Sequence, residues 1–181
     1  MSVEIVQCCT CKKSDDWPRV IAPFGNPKAK IVFLCPAPTP EECRKDKFFS
    51  TYQAQLFKGM LRSSINFCFD KYALALPLTF CSTRLSAACV ANCDKHVCGF
   101  LNNVKLVCLM GSAVYRAFFK AGSPPAMLFG TDWDEKEYAL GFFLFSDISK
   151  LSTDDRQDYV FDRIRKEILW FGRTLGKIGG N

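Results

Sequence analysis

Leu106-Val107-Cys108-Leu109-Met110-Gly111-Ser112 is the stretch that decides how this sequence folds. Five consecutive apolar residues, without the alternation of a half-exposed strand, describe a strand buried on both faces. Gly111 ends the run, and Ser112 opens a helical pattern that continues to Phe119. The same kinds of segment recur on either side. Upstream, Lys30-Ile31-Val32-Phe33-Leu34 is a β-branched apolar run ended by Pro36, Pro38 and Pro40. Residues 52–61 then carry Leu56, Phe57, Met60 and Leu61 at helical spacing. Residues 72–76 read as a strand. Residues 86–104 read as a helix with Ser86 as N-cap and Val90, Val97, Leu101 and Val104 along one face. Downstream, residues 141–145 form another apolar strand. Thr153 or Asp154 then caps a long helix bearing Tyr159, Val160, Ile164, Ile168 and Phe171. Continuously apolar strands alternating with helices predict an α/β fold, a three-layer α-β-α sandwich around a central, mainly parallel four-stranded sheet. Residues 1–175 make one domain and residues 176–181 a flexible tail. Ligands of such sheets bind beyond the carboxyl ends of the strands, here 35–40, 77–81, 111–112 and 146–150.

A chain of 181 residues has room for one sizeable core, and 49% hydrophobic against 23% charged residues excludes intrinsic disorder. No apolar run reaches the ~18 residues of a membrane span. Residues 1–7 lack the charged and apolar regions of a signal peptide, so an intracellular, reducing setting (cytoplasm or nucleus) is expected. The net charge of +6 permits nucleic-acid binding without demanding it. His96 is the single histidine, which excludes chemistry needing two, such as an HExxH zinc protease.

Eleven cysteines, an odd number, argue against a disulfide framework in this setting. Cys8 and Cys11 form a C-x-x-C pair suited to one metal or cluster. Cys81, Cys89, Cys93 and Cys98 are available to complete a set of four. Spacing alone leaves zinc, an iron–sulfur cluster and no metal open. Cys68 and Cys108 lie in apolar runs and read as core residues.

Residues 8–61 resemble the iron–sulfur (family 4) uracil-DNA glycosylases. In that family a C-x-x-C pair precedes a Gly-Asn-Pro-x-Ala segment, a strand, a Gly-Glu-x-Pro-Gly motif, an acidic stretch and a Pro-Phe-x-Gly motif before a helix. Here Cys8 and Cys11 lead to Gly25-Asn26-Pro27-Lys28-Ala29, the strand 31–34 and Cys35-Pro36-Ala37-Pro38-Thr39. Glu41, Glu42 and Phe48-Phe49-Ser50-Thr51 follow. Cys81 stands where the family's third ligand ends a strand, and residues 107–113 look like its strand-then-Leu-Gly-x-x-Ala turn. The resemblance implies a uracil-DNA-glycosylase-like fold and a [4Fe–4S] cluster, with zinc as the alternative metal. Its implied ligands are Cys8, Cys11, Cys81 and Cys93, with Cys89 the runner-up for the fourth. Such clusters pin loops beside the DNA-binding face.

The same comparison exposes departures. The family's carboxylate after the first strand falls at Pro36, and its uracil-reading Asn falls at Pro77. Its late His motif falls at Ser146-Asp147-Ile148-Ser149, which holds no histidine. A proline can neither activate water nor read a base edge, and the lost leaving-group contact is typically worth ~3–4 kcal/mol. The resemblance keeps only the stacking aromatic, Phe49, which also reads as core. Asp147 serves as a replacement acid or as a cap; the cap is the plainer reading. Glu41 and Glu42 read as a solvated loop face, and His96 as a helix-surface residue.

Lys28, Lys30, Arg44, Lys45, Lys47, Lys58 and Arg62 crowd the first third, with Lys12 and Lys13 beside the first cysteines. They form either a phosphate-contacting stripe or an ordinary solvated face. Trp133 with Asp132, Asp134, Glu135 and Glu137 reads as an acidic aromatic loop suited to a protein contact. The reading reached is a catalytically silent, glycosylase-like iron–sulfur protein. It binds nucleic acid, DNA ahead of RNA, through Arg44, Lys45, Lys47 and Phe49, or serves a replication, transcription or repair complex as an accessory subunit. The alternatives are an active nucleobase glycosylase with altered residues and a pure protein-interaction module.

Overall fold

The computed structural model describes residues 20–81, 85–124, 128–135, 140–151 and 158–179. The chain runs through β1 (Phe24–Gly25), β2 (Ile31–Cys35), α1 (Pro40–Lys45), α2 (Tyr52–Ile65), α3 (Phe69–Tyr72), β3 (Ala73–Pro77) and α4 (Ala87–Leu101). It continues through β4 (Leu106–Met110), α5 (Ser112–Phe119), β5 (Asp132–Glu135), β6 (Leu140–Phe145), a 3-10 turn at Ile148–Lys150 and α6 (Asp158–Gly179). The fold is α/β, with one mixed sheet in the order β1-β3-β2-β4-β6-β5.

The four strands expected from the sequence are the parallel ones, β3-β2-β4-β6. The sheet nevertheless has six strands, because β1 and β5 pair antiparallel at its two edges. Neither edge carries an apolar signature. β1 is a dipeptide, and β5 is Asp132-Trp133-Asp134-Glu135, the segment read above as a loop. Backbone pairing with a neighbouring strand makes them strands. At the other end of the chain α6 continues to Gly179, past the Gly176 where the tail was expected to begin. The expected caps Thr153 and Asp154 lie outside the described residues.

Side-chain alternation sorts the parallel strands into two faces. Phe33, Cys108, Phe143 and Phe145 join α2 and α6 through Phe57, Leu61, Ile164, Ile168 and Phe171. Leu76, Leu34, Leu109 and Leu144 sit in register on the other face, under Cys93, Val97 and Leu101 of α4 and Val114 of α5. Burial on both sides explains why these strands read as unbroken apolar runs.

The chain leaves β2 toward β3 on one side, then crosses back to β4 and on to β6. The direction of winding therefore reverses between β2 and β4, and an α/β sheet opens its crevice at the carboxyl ends of such a pair. No helix among the described residues is long and apolar enough to cross a membrane.

Candidate functional site

The crevice is floored by the turns after β2 and β4. After β2 the chain passes Pro36 and Pro38, both lacking a side-chain donor or acceptor, to Thr39, the N-cap of α1. Pro77 is the parallel partner of Cys35 at the end of β3, so the two strand-end prolines flank one sheet position. After β4, Gly111 takes φ +93°, and a Cβ there would stand 3.3 Å from Asp147 Cβ. Only glycine lets the turn after β4 come this close to the turn after β6. α5 then begins without a side-chain cap.

Two carboxylates near the crevice are engaged in structural bonds. Asp147 caps the 3-10 turn, its carboxylate accepting from Ser149 N at 2.9 Å. That bears out the cap reading. Glu42 is buried at 4% exposure, which corrects the solvated-face reading given above. Its carboxylate accepts from Thr39 N at 2.9 Å, Thr39 Oγ1 at 3.1 Å and Ser50 N at 3.1 Å. The alternation of Pro40-Glu41-Glu42-Cys43 hides this. Glu42 becomes legible only as the third helical residue after a Thr, a capping box. Glu41 stays outside and pairs with Lys45 at 2.6 Å.

α1 and the turn after it bring Arg44, Lys45 and Lys47 together, all exposed. Lys45 is tied to Glu41, whose carboxyl is lowered by the Lys45 ammonium that bonds it. Lys47 reaches over the Phe24 ring at 5.9 Å. Lys58, counted in the same stripe by sequence, is largely withdrawn: its ammonium lies 4.4 Å from the Phe24 centroid and 3.8 Å from Asp70. Burial pushes its pKa down despite the carboxylate. Phe49 is 3% exposed and stacks on Phe69 at 5.0 Å, so the structure places it in the core. Its φ of +56° is a conformation that a bulky residue holds only where packing imposes it.

Of the four expected ligands, Cys81 and Cys93 are described and both are buried; Cys8 and Cys11 lie outside the described residues. Cys81 follows β3 closely, and Cys93 points into the α4 side of the core. Cys89, one turn earlier, is half-buried beside the Ser86 cap, which accepts from its backbone N–H at 3.2 Å. Among the described residues no three His, Cys, Asp or Glu side chains gather as a metal site. Cys108 is core as expected, and burial drives its thiol pKa far up. Cys68 is exposed at the start of α3, contrary to the core reading, because the run around it turns outward between α2 and α3. His96 corrects another reading. It is half-buried, its Nε2 is enclosed without a hydrogen-bond partner among the described residues, and its ring meets the Phe80 ring at 6.4 Å.

One constellation has no counterpart in the sequence reading. Ser146, the first residue after β6, donates its backbone N–H at 2.8 Å and its hydroxyl at 2.6 Å to the Glu167 carboxylate. Glu167 is 2% exposed on α6 and also accepts from Arg163 Nε at 3.3 Å. Burial raises its pKa, and these three donors only partly oppose the rise. A glutamate in a helix reads as solvent-facing, and its partner lies twenty-one residues away, so no local pattern announces the pair.

No known family model matches this chain, and no curated protein matches its sequence.

Proposed function

We propose that this protein is a catalytically silent, uracil-DNA-glycosylase-like iron–sulfur protein that holds nucleic acid, DNA ahead of RNA, or serves a nucleic-acid-processing complex as an accessory subunit. The observation that carries the reading is the chemistry at the strand ends. Pro36 follows β2 and Pro77 ends the neighbouring β3, while Asp147 is spent capping its own turn and Glu42 is spent on α1. Excision of a base needs a group that aids water or the departing anion, and these positions offer neither. Holding a phosphate backbone needs only cations, and exposed Arg44, Lys45 and Lys47 stand just past β2. In this reading the sheet and its two helical layers are the glycosylase sandwich, and β1 and β5 are additions at its edges.

The cluster in this reading is held by Cys8, Cys11, Cys81 and Cys93. Cys81 and Cys93 supply two buried thiols to that donor set. When bound, a [4Fe–4S] cluster supplies a cross-link between chain segments rather than a reacting group at the crevice. Cys93 shares its helix face with the core residues Val97 and Leu101, whereas Cys89 is nearer the open end of α4. Iron and sulfide content of Cys93→Ser against Cys89→Ser decides between them, and a colourless zinc protein would replace the cluster in this account.

The experiment is anaerobic binding to labelled single- and double-stranded DNA and RNA across a salt titration, beside an assay for released base. The expected result is binding whose log affinity falls with log salt by ~0.7–0.9 per phosphate contact, with no base released. Absence of binding at moderate salt, or excision at the rate of an active glycosylase, overturns the proposal.

A further inference from the structure

The outward face of α6 combines flat aromatic surface with cations. Ile164, Ile168 and Phe171 turn one side of the helix into the core. By the 3.6-residue period Tyr159, Lys166, Trp170 and Arg173 fall together on the opposite side, with Arg163 at its border. Tyr159 is 75% and Trp170 43% exposed, the two most exposed aromatic positions of the helix. They stand at the two ends of a groove of about 330 Å³ between α6 and Phe129. Eleven residues of helix put them about 16 Å apart along its axis, room for a short run of nucleotides.

The groove is preformed. Gly130 takes φ +74°, and a Cβ there would lie 2.3 Å from Trp170 Cε3 and 2.6 Å from Cζ3. The indole therefore rests on bare backbone, and that backbone is fixed to the sheet by Gly130 N–H donating to Leu144 O at 2.8 Å. The Arg163 guanidinium lies over the Phe129 ring, 4.8 Å from its centroid, with Nε on Glu167. Glu167 is itself buried under Ser146, so its charge is turned inward. Among the described residues lining the groove, Arg163 and Lys166 stand against one exposed acid, Asp162. Lys177, farther along the helix, is occupied by Asp132 at 2.9 Å.

A seated indole and an exposed phenol ring with cations between them suit a ligand that alternates flat bases with phosphates. An acidic peptide would use the cations and leave the rings idle. We propose that this face of α6 binds single-stranded nucleic acid, with Trp170 and Tyr159 stacking on bases and Arg163 and Lys166 contacting phosphates. The proposal rests on the nucleic-acid reading above and places the contact away from the α1 cations.

The test is fluorescence anisotropy of the full chain with a short labelled oligothymidylate across salt. Trp170→Ala is expected to weaken binding roughly tenfold, Tyr159→Ala by a similar factor, and Trp170→Phe to restore most of the loss. Lys166→Ala should lower the salt slope by ~0.7, and Asp162→Asn should tighten binding. Tyr159 is too exposed for its truncation to disturb the core, so that variant reads binding even if Trp170→Ala weakens the fold. If both ring variants bind like the parent while neutralising Arg44, Lys45 and Lys47 abolishes binding, this inference fails and the nucleic-acid reading stands. If the parent binds no nucleic acid, both fail, and a protein partner becomes the occupant to seek.

Discussion

Glu167 shows how one residue ties the end of a strand to a helix. Its carboxylate takes both polar groups of Ser146, and burial raises its pKa. An acid whose pKa is higher folded than unfolded binds its proton more readily in the folded state. Between the two values the folded protein holds more protons, so stability falls as pH rises through that window. Below the unfolded value both states are protonated and the difference is constant. Glu167→Gln removes this dependence. Melting temperatures of parent and variant from the ordinary carboxylate range up to neutrality should shift relative to each other, the parent losing stability against the variant as pH rises. Parallel curves would mean that Glu167 does not titrate with folding. Replacing it by Ala instead leaves the Ser146 donors buried and unpaired, a cost of about 2 kcal/mol in urea unfolding.

Elements differ in how plainly the sequence announces them, and the reason is where their side chains go. The four parallel strands are legible because both faces are buried, and α4 because Ser86 caps it where expected. β1 and β5 are illegible because a dipeptide and an acidic tetrapeptide carry no strand pattern of their own and pairing to a neighbour defines them, and Glu42 because a capping carboxylate looks like a surface one until Thr39 is paired with it. Of the candidate site, the cations of α1 and the strand-end prolines are readable one residue at a time. The Ser146–Glu167–Arg163 contact and the Trp170–Gly130 seat are not, since tertiary approach creates them. Two substitutions measure these elements. Glu42→Ala strips three donors and loosens α1 and its cations, at an expected cost of about 2 kcal/mol by denaturant. Phe171→Ala opens α6 where its ring meets Phe33, Phe67, Phe143 and Phe145 at 5.5–5.6 Å, an expected loss of about 4 kcal/mol. A Phe171 variant near parental stability would mean that α6 is held by its ends rather than by this stripe.

At the scale of the molecule the sheet divides the protein into two unequal cores. The α2–α6 side is dense with interlocking Phe rings, while the α4–α5 side sets Leu and Val among fewer buried rings, Phe80 and Phe142, and holds Cys93. In the proposed function the cluster links the amino-terminal cysteines to Cys81 after β3 and to Cys93 of α4, which lies in the second core. Ligand binding stabilises what it cross-links, and regions of a fold open with separate free energies. Removing iron should therefore release α4 and residues 78–81 before it releases α2 and α6. Hydrogen exchange on loaded protein, on chelator-treated protein and on Cys81→Ser reads this directly. Protection is expected to fall over 87–101 in the last two, with 52–65 and 164–175 nearly unchanged. A uniform loss on both sides of the sheet would show one cooperative unit and remove the division. Unchanged exchange after complete loss of iron and sulfide would show that the metal does not brace this core, and Cys93 would then be explained by packing alone.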